Sequence, residues 1–301
     1  MIRRPRYAQV NTLAVITPSY GPDAVFFADL HESVLEFTPS DTVHHVIVPR
    51  ADRHLFARYA GPRCRIRVVN EFIPRRFLKV PRLGLWANLL RPWPPVRGWV
   101  MQQIIKLAAT ASSDADVVLV ADSDVVLVRP TDASRAFVDG GFLLHRLENG
   151  VLPGMDRHVV WHQTARKLLK LPPAPGPPLP DYMSPLTFWD PANVRALQRH
   201  LTETTGRHWA DAFGSHLHVS EFMLYGVFVD EVLCASGVRP PSDTTICHKS
   251  PDESPMTMES AAAFVDRLPP TAMGVLISSK SGTPHEVRQA AIKRCREVAA
   301  G

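Results

Sequence analysis

Asp122 and Asp124, one residue apart in Val117–Val128 (VVLVADSDVVLV), are the residues whose types and spacing speak most directly of chemistry. Two carboxylates separated by a single residue on a turn can face one hard cation, Mg2+ or Mn2+, with Ser123 between them. The run Asp116–Ala121 (DVVLVA) is apolar and β-branched, the pattern of a strand buried on both faces in a parallel sheet. The pair therefore falls at the carboxyl end of a buried strand, the edge at which open α/β sheets bind ligands. Asp114 and Asp116 repeat the spacing, but at the amino end of the same strand, on the opposite edge.

The elements that must position this turn alternate as βαβ units do. Leu13–Thr17 reads as a short apolar strand running into a Pro18–Gly21 loop, followed by a helix over Ala24–Phe37. His44–Pro49 and Arg65–Asn70 read as further strands, with a short helix over Asp52–Tyr59 between them. Val100–Ala111 (VMQQIIKLAATA) has the 3.6-residue periodicity of an amphipathic helix. Gln102 and Lys106 lie one turn apart on one face of it. Later helices are expected over Arg157–Leu169, Pro191–Thr204, Ser220–Val229, Ser260–Arg267 and Pro284–Ala299, with a strand near Gly141–His145. Leu171–Pro180 (LPPAPGPPLP) can only be an extended loop, because proline removes donors and fixes φ. The elements of one sheet are expected from Leu13 to about Ile246.

Two named chemistries use an Asp-x-Asp turn after a strand. One is the DxD motif of nucleotide-sugar glycosyltransferases, the other the nucleophile motif of haloacid-dehalogenase-type phosphatases. The phosphatase motif belongs to a first strand and needs a later Asp-Asp pair; here the turn follows at least three strands, and no Asp-Asp pair occurs. LAVITPSYG resembles the opening strand and loop of GT-A glycosyltransferases. More narrowly, ITPSY, WVMQQIIKL, VADSDV and SEFMLYG resemble a bacterial group of GT-A-like proteins mostly of unknown function, over about residues 12–250. The resemblance implies an α/β, GT-A-like (Rossmann-like) fold with a mostly parallel central sheet flanked by helices, in a single domain 1–301. Residues 12–130 would form the nucleotide-sugar-binding half, 131–259 the acceptor-binding and catalytic half, and 260–301 a C-terminal helical segment.

By position, the resemblance makes Thr17, Pro18, Ser19 and Tyr20 the lining of the nucleotide pocket, with Tyr20 against the base; a plain strand-to-helix turn reads equally well. Gln102, Lys106, Ser123 and Lys249 would contact the donor. Asp122 and Asp124 would hold Mn2+ or Mg2+, with His248 of TTICHKS as third ligand, unless His248 is simply a satisfied loop histidine. Glu221 opens a helix after Ser220 in HVSEFMLYG, the place from which inverting enzymes of this kind deploy a base. The same two residues also suit the positive end of a helix dipole. Trp189, Asp190 and Tyr225 would contact the acceptor, Trp189 as a platform for a sugar ring or as plain core. The implied reaction is transfer of a sugar from a nucleoside-diphosphate sugar to an acceptor hydroxyl on a small molecule, glycan or lipid-linked molecule, with inversion. A sugar nucleotidyltransferase is the first alternative, although its Gly-rich basic first loop is missing from TPSYGPDA. A non-catalytic binding protein on the same fold is the second.

Composition narrows the field further. The chain has 301 residues, 45% hydrophobic and 21% charged, which suits a globular core. Four dispersed cysteines suggest neither a zinc site nor a disulfide framework. No apolar run suits a signal peptide or a membrane span, so a cytoplasmic protein is expected. Lys and Arg exceed Asp and Glu by five, which favours an anionic partner. No nucleic-acid-binding motif accompanies this charge, and nucleic acid is not expected as the partner. The stretch 74–99 (PRRFLKVPRLGLWANLLRPWPPVRGW) interleaves basic and apolar residues. It could contact a membrane peripherally, gate the acceptor, or simply pack on its tryptophans.

Overall fold

Strand β1 (Leu13–Pro18) is buried along its whole length. A computed structural model describes residues 12–80, 83–234, 240–250 and 254–301. After β1 come helix α1 (Ala24–Phe37), β2 (Val43–Val48), the short α2 (Arg53–Phe56) and β3 (Cys64–Val68). Three further strands follow, β4 (Phe77–Lys79), β5 (Leu85–Asn88) and β6 (Arg91–Arg97). Helix α3 (Gly98–Ala111) then returns the chain to β7 (Val117–Ala121), and a two-sided turn leads on to β8 (Val125–Leu127). The middle of the chain holds β9 (Phe137–Val138), β10 (Gly141–Phe142), β11 (Leu147–Val151), α4 (Asp156–Leu168), β12 (Leu179–Asp181) and β13 (Leu186–Trp189). Helices α5 (Pro191–Thr205), α6 (Trp209–Gly214) and α7 (Glu221–Val227) come next. The remainder is β14 (Cys247–Lys249), α8 (Met258–Asp266), β15 (Gly274–Leu276) and α9 (His285–Ala300).

The fold is α/β around a central, mostly parallel sheet in the order β13-β7-β1-β2-β3. Strands β7, β1, β2 and β3 run parallel, and β13 is antiparallel to β7 at the edge. The pleat divides the side chains of β1 and β7 between two cores. Ala14, Ile16, Val118 and Val120 pack toward α3 and α7, while Leu13, Val15, Val117 and Leu119 pack in the core shared with α1. Both faces are therefore covered, which is why these strands read as continuous apolar runs. The local signals for α5 also hold. Asp190 caps it by accepting from the Ala192 N–H (2.7 Å), Pro191 starts it, and Gly206 stops it at φ 66°.

Three expectations change. The sheet does not extend to Ile246: β14 and β15 join β8 in a separate three-stranded sheet, order β14-β15-β8. The segment 260–301 is not only helical, because it supplies β15, which sits between β8 and β14. The segment 74–99 forms an antiparallel sheet, β4-β5-β6. Its prolines are accommodated because β6 is an edge strand, where a missing N–H is tolerated. No helix among the described residues is long and apolar enough to cross a membrane.

Candidate active site

Ile16 of β1 pairs with Val120 of β7, so the loops leaving these parallel strands emerge side by side at one sheet edge. The loop after β1 carries Ser19, Tyr20 and Asp23, and the turn after β7 carries Asp122, Ser123 and Asp124. Backbone and hydroxyl contacts fix the turn from both sides. The Asp122 N–H donates to the Pro185 carbonyl (2.9 Å), and Ser123 Oγ donates to Ser19 Oγ (2.9 Å). A third loop arrives from the distant end of β15, where the Ser279 N–H donates to Asp124 Oδ2 (2.8 Å). Buried Arg288 of α9 ties the two loops together, donating to the carbonyls of Ile277 (2.6 Å) and Asp124 (3.1 Å).

These loops and α3 enclose a cleft of about 590 Å3. Pro18, Ser19, Tyr20, Gln102, Lys106, Asp122, Ser123 and Asp124 line it, as expected from the sequence. Asp23, Ser279, Lys280, Lys79, Trp86 and Trp99 also line it and were not anticipated. Trp99 is stiffened from behind: its ring stacks on Trp161 (5.4 Å), and the Arg157 guanidinium lies over both (5.1 and 4.8 Å).

Lys106 links the cleft to the interior. Its Nζ lies 2.8 Å from Asp122 Oδ1 and 3.0 Å from Glu221 Oε1. Burial works against the ammonium, but the two carboxylates outweigh it and hold the Lys106 pKa above its ordinary value. Burial pushes the Glu221 carboxyl up, and Lys106, shared with Asp122, offsets only part of that. The acids facing the cleft crowd one another. Asp23 is pushed up to about 6, first by burial and then by Asp124 and Asp122, against Lys280. Asp124 is raised by burial and by Asp122, against the Ser279 N–H.

Asp122 Oδ1 faces Lys106 and Asp124 Oδ2 accepts from Ser279, and both side chains line the cleft, where they could hold a cation. Hard oxygens at a crowded acidic edge suit Mg2+ or Mn2+. Among the described residues no group of three acids, histidines or cysteines is placed to hold a metal by itself. A cation here would complete its shell from ligand phosphate and water, as Mg2+ commonly does.

Several expected site residues lie elsewhere. Thr17 is buried behind the loop, with its hydroxyl 2.9 Å from His44 Nε2. Glu221 is 2% exposed and does not line the cleft. Its carboxylate accepts from Lys106 Nζ (3.0 Å), and Gln103 Oε1 accepts its backbone N–H (3.0 Å). His248 lies within β14, stacked 4.1 Å from the Phe264 ring, with Nε2 2.8 Å from the Phe264 carbonyl; it faces α8 and not the carboxylates. Lys249, next to it on the short strand, does not line the cleft either. Trp189 pairs with Val118, three residues from the Leu186–Ala121 pair, and so sits toward the opposite end of β7 from Asp122. Its ring is buried against Tyr225 (5.1 Å) and Phe222, and Asp190 is spent on capping α5. None of the three reaches the cleft.

A family profile matches this chain over residues 14–261. The chain belongs to DUF6492, a family of unknown function. The span shared with DUF6492 takes in both cleft aspartates and Lys106, and ends before Ser279 and Lys280. No curated protein matches the sequence. Among solved structures, the chain is similar to a galactosyltransferase, LgtC, in complex with donor and acceptor sugar analogues. The identity is 11%, with 95% of each chain covered and a TM-score of 0.46. It is also similar to mouse xyloside xylosyltransferase 1 in its apo form, at 12% identity, covering 92% of this chain and all of the other, with a TM-score of 0.46.

Proposed function

We propose that the chain is a GT-A-like glycosyltransferase that uses a nucleoside-diphosphate sugar as donor and Mn2+ or Mg2+ as cofactor. The observation that carries the reading is the gathering of Asp122, Asp124, Lys106 and Lys280 in one cleft at the carboxyl edge of β1 and β7. Acids and lysines together on such an edge suit a diphosphate bridged to a cation better than either charge alone. In this reading Asp122 and Asp124 anchor the cation, which when bound offsets charge on the departing diphosphate. Lys280 and Lys106 face the same phosphates. Tyr20, at the rim, lies against the base. Trp86 and Trp99 form an apolar wall suited to the face of a sugar ring. Glu221 keeps Lys106 charged and aimed, which makes it a positioning residue. The acceptor supplies the attacking hydroxyl.

Thermal-shift screening of nucleoside diphosphates and sugar nucleotides, each with and without Mn2+, tests this. A ligand at about a hundred times its Kd adds about 2.7 kcal/mol. With roughly 2.1 cal/mol/K per residue of unfolding entropy over 301 residues, the melting temperature rises by about 4 °C. The expected result is selective, metal-dependent stabilisation by one nucleotide, lost in Asp124→Ala. Absence of stabilisation by any nucleotide, with or without metal, overturns the donor assignment.

A further inference from the structure

The β4-β5-β6 sheet ends in an apolar tip that nothing among the described residues covers. At the β5–β6 turn and the start of β6, Leu89, Leu90 and Trp93 are 62%, 75% and 80% exposed, the three highest values for large apolar side chains among the described residues. Leu78 and Leu83 of the same sheet are also about half exposed. The inner row, Phe77, Trp86 and Val96, is buried. The sheet is fastened to the body by the Arg76 fork on Asp211 (2.9 and 2.6 Å) and by Asn88 on the same carboxylate (2.8 Å). The exposed tip is thus carried on an anchored platform.

The charge of the stretch itself is one-sided. Residues 74–99 hold six Lys or Arg and no Asp or Glu, so this stretch carries more than the whole net charge of +5 and leaves the remaining chain at −1. Arg75 and Arg91 are exposed beside the apolar tip.

We propose that this hairpin docks on the surface of an anionic phospholipid membrane. Leu89, Leu90 and Trp93 enter the boundary between headgroups and acyl chains, while Arg75 and Arg91 meet lipid phosphates. Apolar side chains at a tip with a basic rim fit both parts of such a surface, and an indole suits its interfacial layer. A second copy of this chain fits less well, because an isologous contact would set the basic rim against itself. Nucleic acid would leave the two leucines without a partner, since its single strands stack on aromatic platforms. The inner side of the same sheet gives Lys79 and Trp86 to the cleft, so docking sets the cleft mouth beside the bilayer. A lipid-linked acceptor follows from that placement only if the proposed glycosyl transfer is right; the docking does not depend on it.

Vesicle flotation with the full chain tests the docking without any nucleotide. The protein is expected to float with phosphatidylcholine vesicles holding about a third phosphatidylglycerol and not with pure phosphatidylcholine. Tryptophan emission should shift to the blue on binding. The Leu89→Ser/Leu90→Ser/Trp93→Ser variant should partition about tenfold or more weakly, at an unchanged melting temperature because these side chains are exposed. Arg75→Gln/Arg91→Gln should cost about 25-fold, at about fivefold per cation. Failure to bind anionic vesicles overturns the proposal, as does equal binding to neutral ones or full binding by the triple-serine variant. Oligonucleotide binding or concentration-dependent dimerisation in place of flotation overturns it equally. A donor screen that fails while flotation succeeds separates this proposal from the glycosyl-transfer reading.

Discussion

Lys106→Met asks whether one ammonium holds the floor of the cleft together. Its Nζ lies between Asp122 and Glu221, at 2.8 and 3.0 Å, and Glu221 is enclosed by protein. Removing the lysine leaves a buried carboxylate without its counter-charge, a class of change that costs about 3–5 kcal/mol. With roughly 2.1 cal/mol/K per residue over 301 residues, the unfolding entropy is about 0.6 kcal/mol/K. The expected fall in melting temperature by scanning calorimetry is therefore about 5–8 °C. The loss should depend on pH in a defined direction. Burial already raises the Glu221 carboxyl, and without Lys106 it rises further. A carboxyl raised in the folded state destabilises above its folded pKa and is relieved as protons return. The deficit should thus be largest at alkaline pH and shrink as pH falls through that raised value. Glu221→Gln keeps an acceptor for Nζ and should lose only about 1 kcal/mol, about 2 °C. It should also retain nucleotide binding, which a base role for Glu221 would not distinguish but turnover would. The double variant Lys106→Met/Glu221→Leu removes both charges and should recover more than half of the loss. A Lys106→Met protein melting within about 1 °C of the parent, or a double variant no better than the single one, would refute the reasoning.

Three further outcomes are expected. His31 Nδ1 lies 3.2 Å from His44 Nδ1, and burial lowers the pKa of both rings. Below their ordinary 6.5 the unfolded chain binds the extra protons, so stability should fall with pH by up to about 1.4 kcal/mol per unit for each histidine. Urea midpoints at neutral and mildly acid pH should show a shallower fall in His44→Gln, and an unchanged slope would count against the pair. Gly226→Ala would place a methyl group inside the Tyr182 ring, which is buried and bonded to Asp230 (2.9 Å); a loss of about 1–3 kcal/mol is expected by chemical denaturation. Lys280→Ala should leave the melting temperature of the free protein almost unchanged but weaken diphosphate binding about 10- to 100-fold by calorimetric titration, the scale of one charge-assisted hydrogen bond.

The cleft aspartates were legible because a strand buried on both faces is written locally, as an unbroken β-branched run that ends in a polar turn. Lys106 was legible through helical spacing alone. Direction and burial are not local. Trp189 ends an apolar run much as Asp122 follows one, but β13 runs antiparallel to β7 and carries Trp189 away from the cleft. Glu221 looks the same in sequence whether its helix start faces a ligand or a buried lysine. His248 lies on a three-residue strand, too short for a period to show which face it takes. Lys280 follows GVLISS, an apolar run ending in serines that could have suggested a strand and its polar loop. Only the pairing of β15 with β8 brings that loop to Asp124. In the segment 91–97 the prolines hid an edge strand.

The Ser279–Asp124 hydrogen bond joins residues 155 positions apart, and it gives the making of this protein an order. The first loop, α3 and the aspartate turn leave the ribosome before the loop after β15 is made. Ser279 follows Asp124 by 155 residues and Arg288 follows it by 164. Over that interval the acidic edge lacks the amide and the guanidinium that steady it. Contacts this distant in sequence also slow folding, because a long loop must close before they form. In the proposed reading, the ability to hold a phosphate ligand should therefore appear only once β15 slots in beside β8.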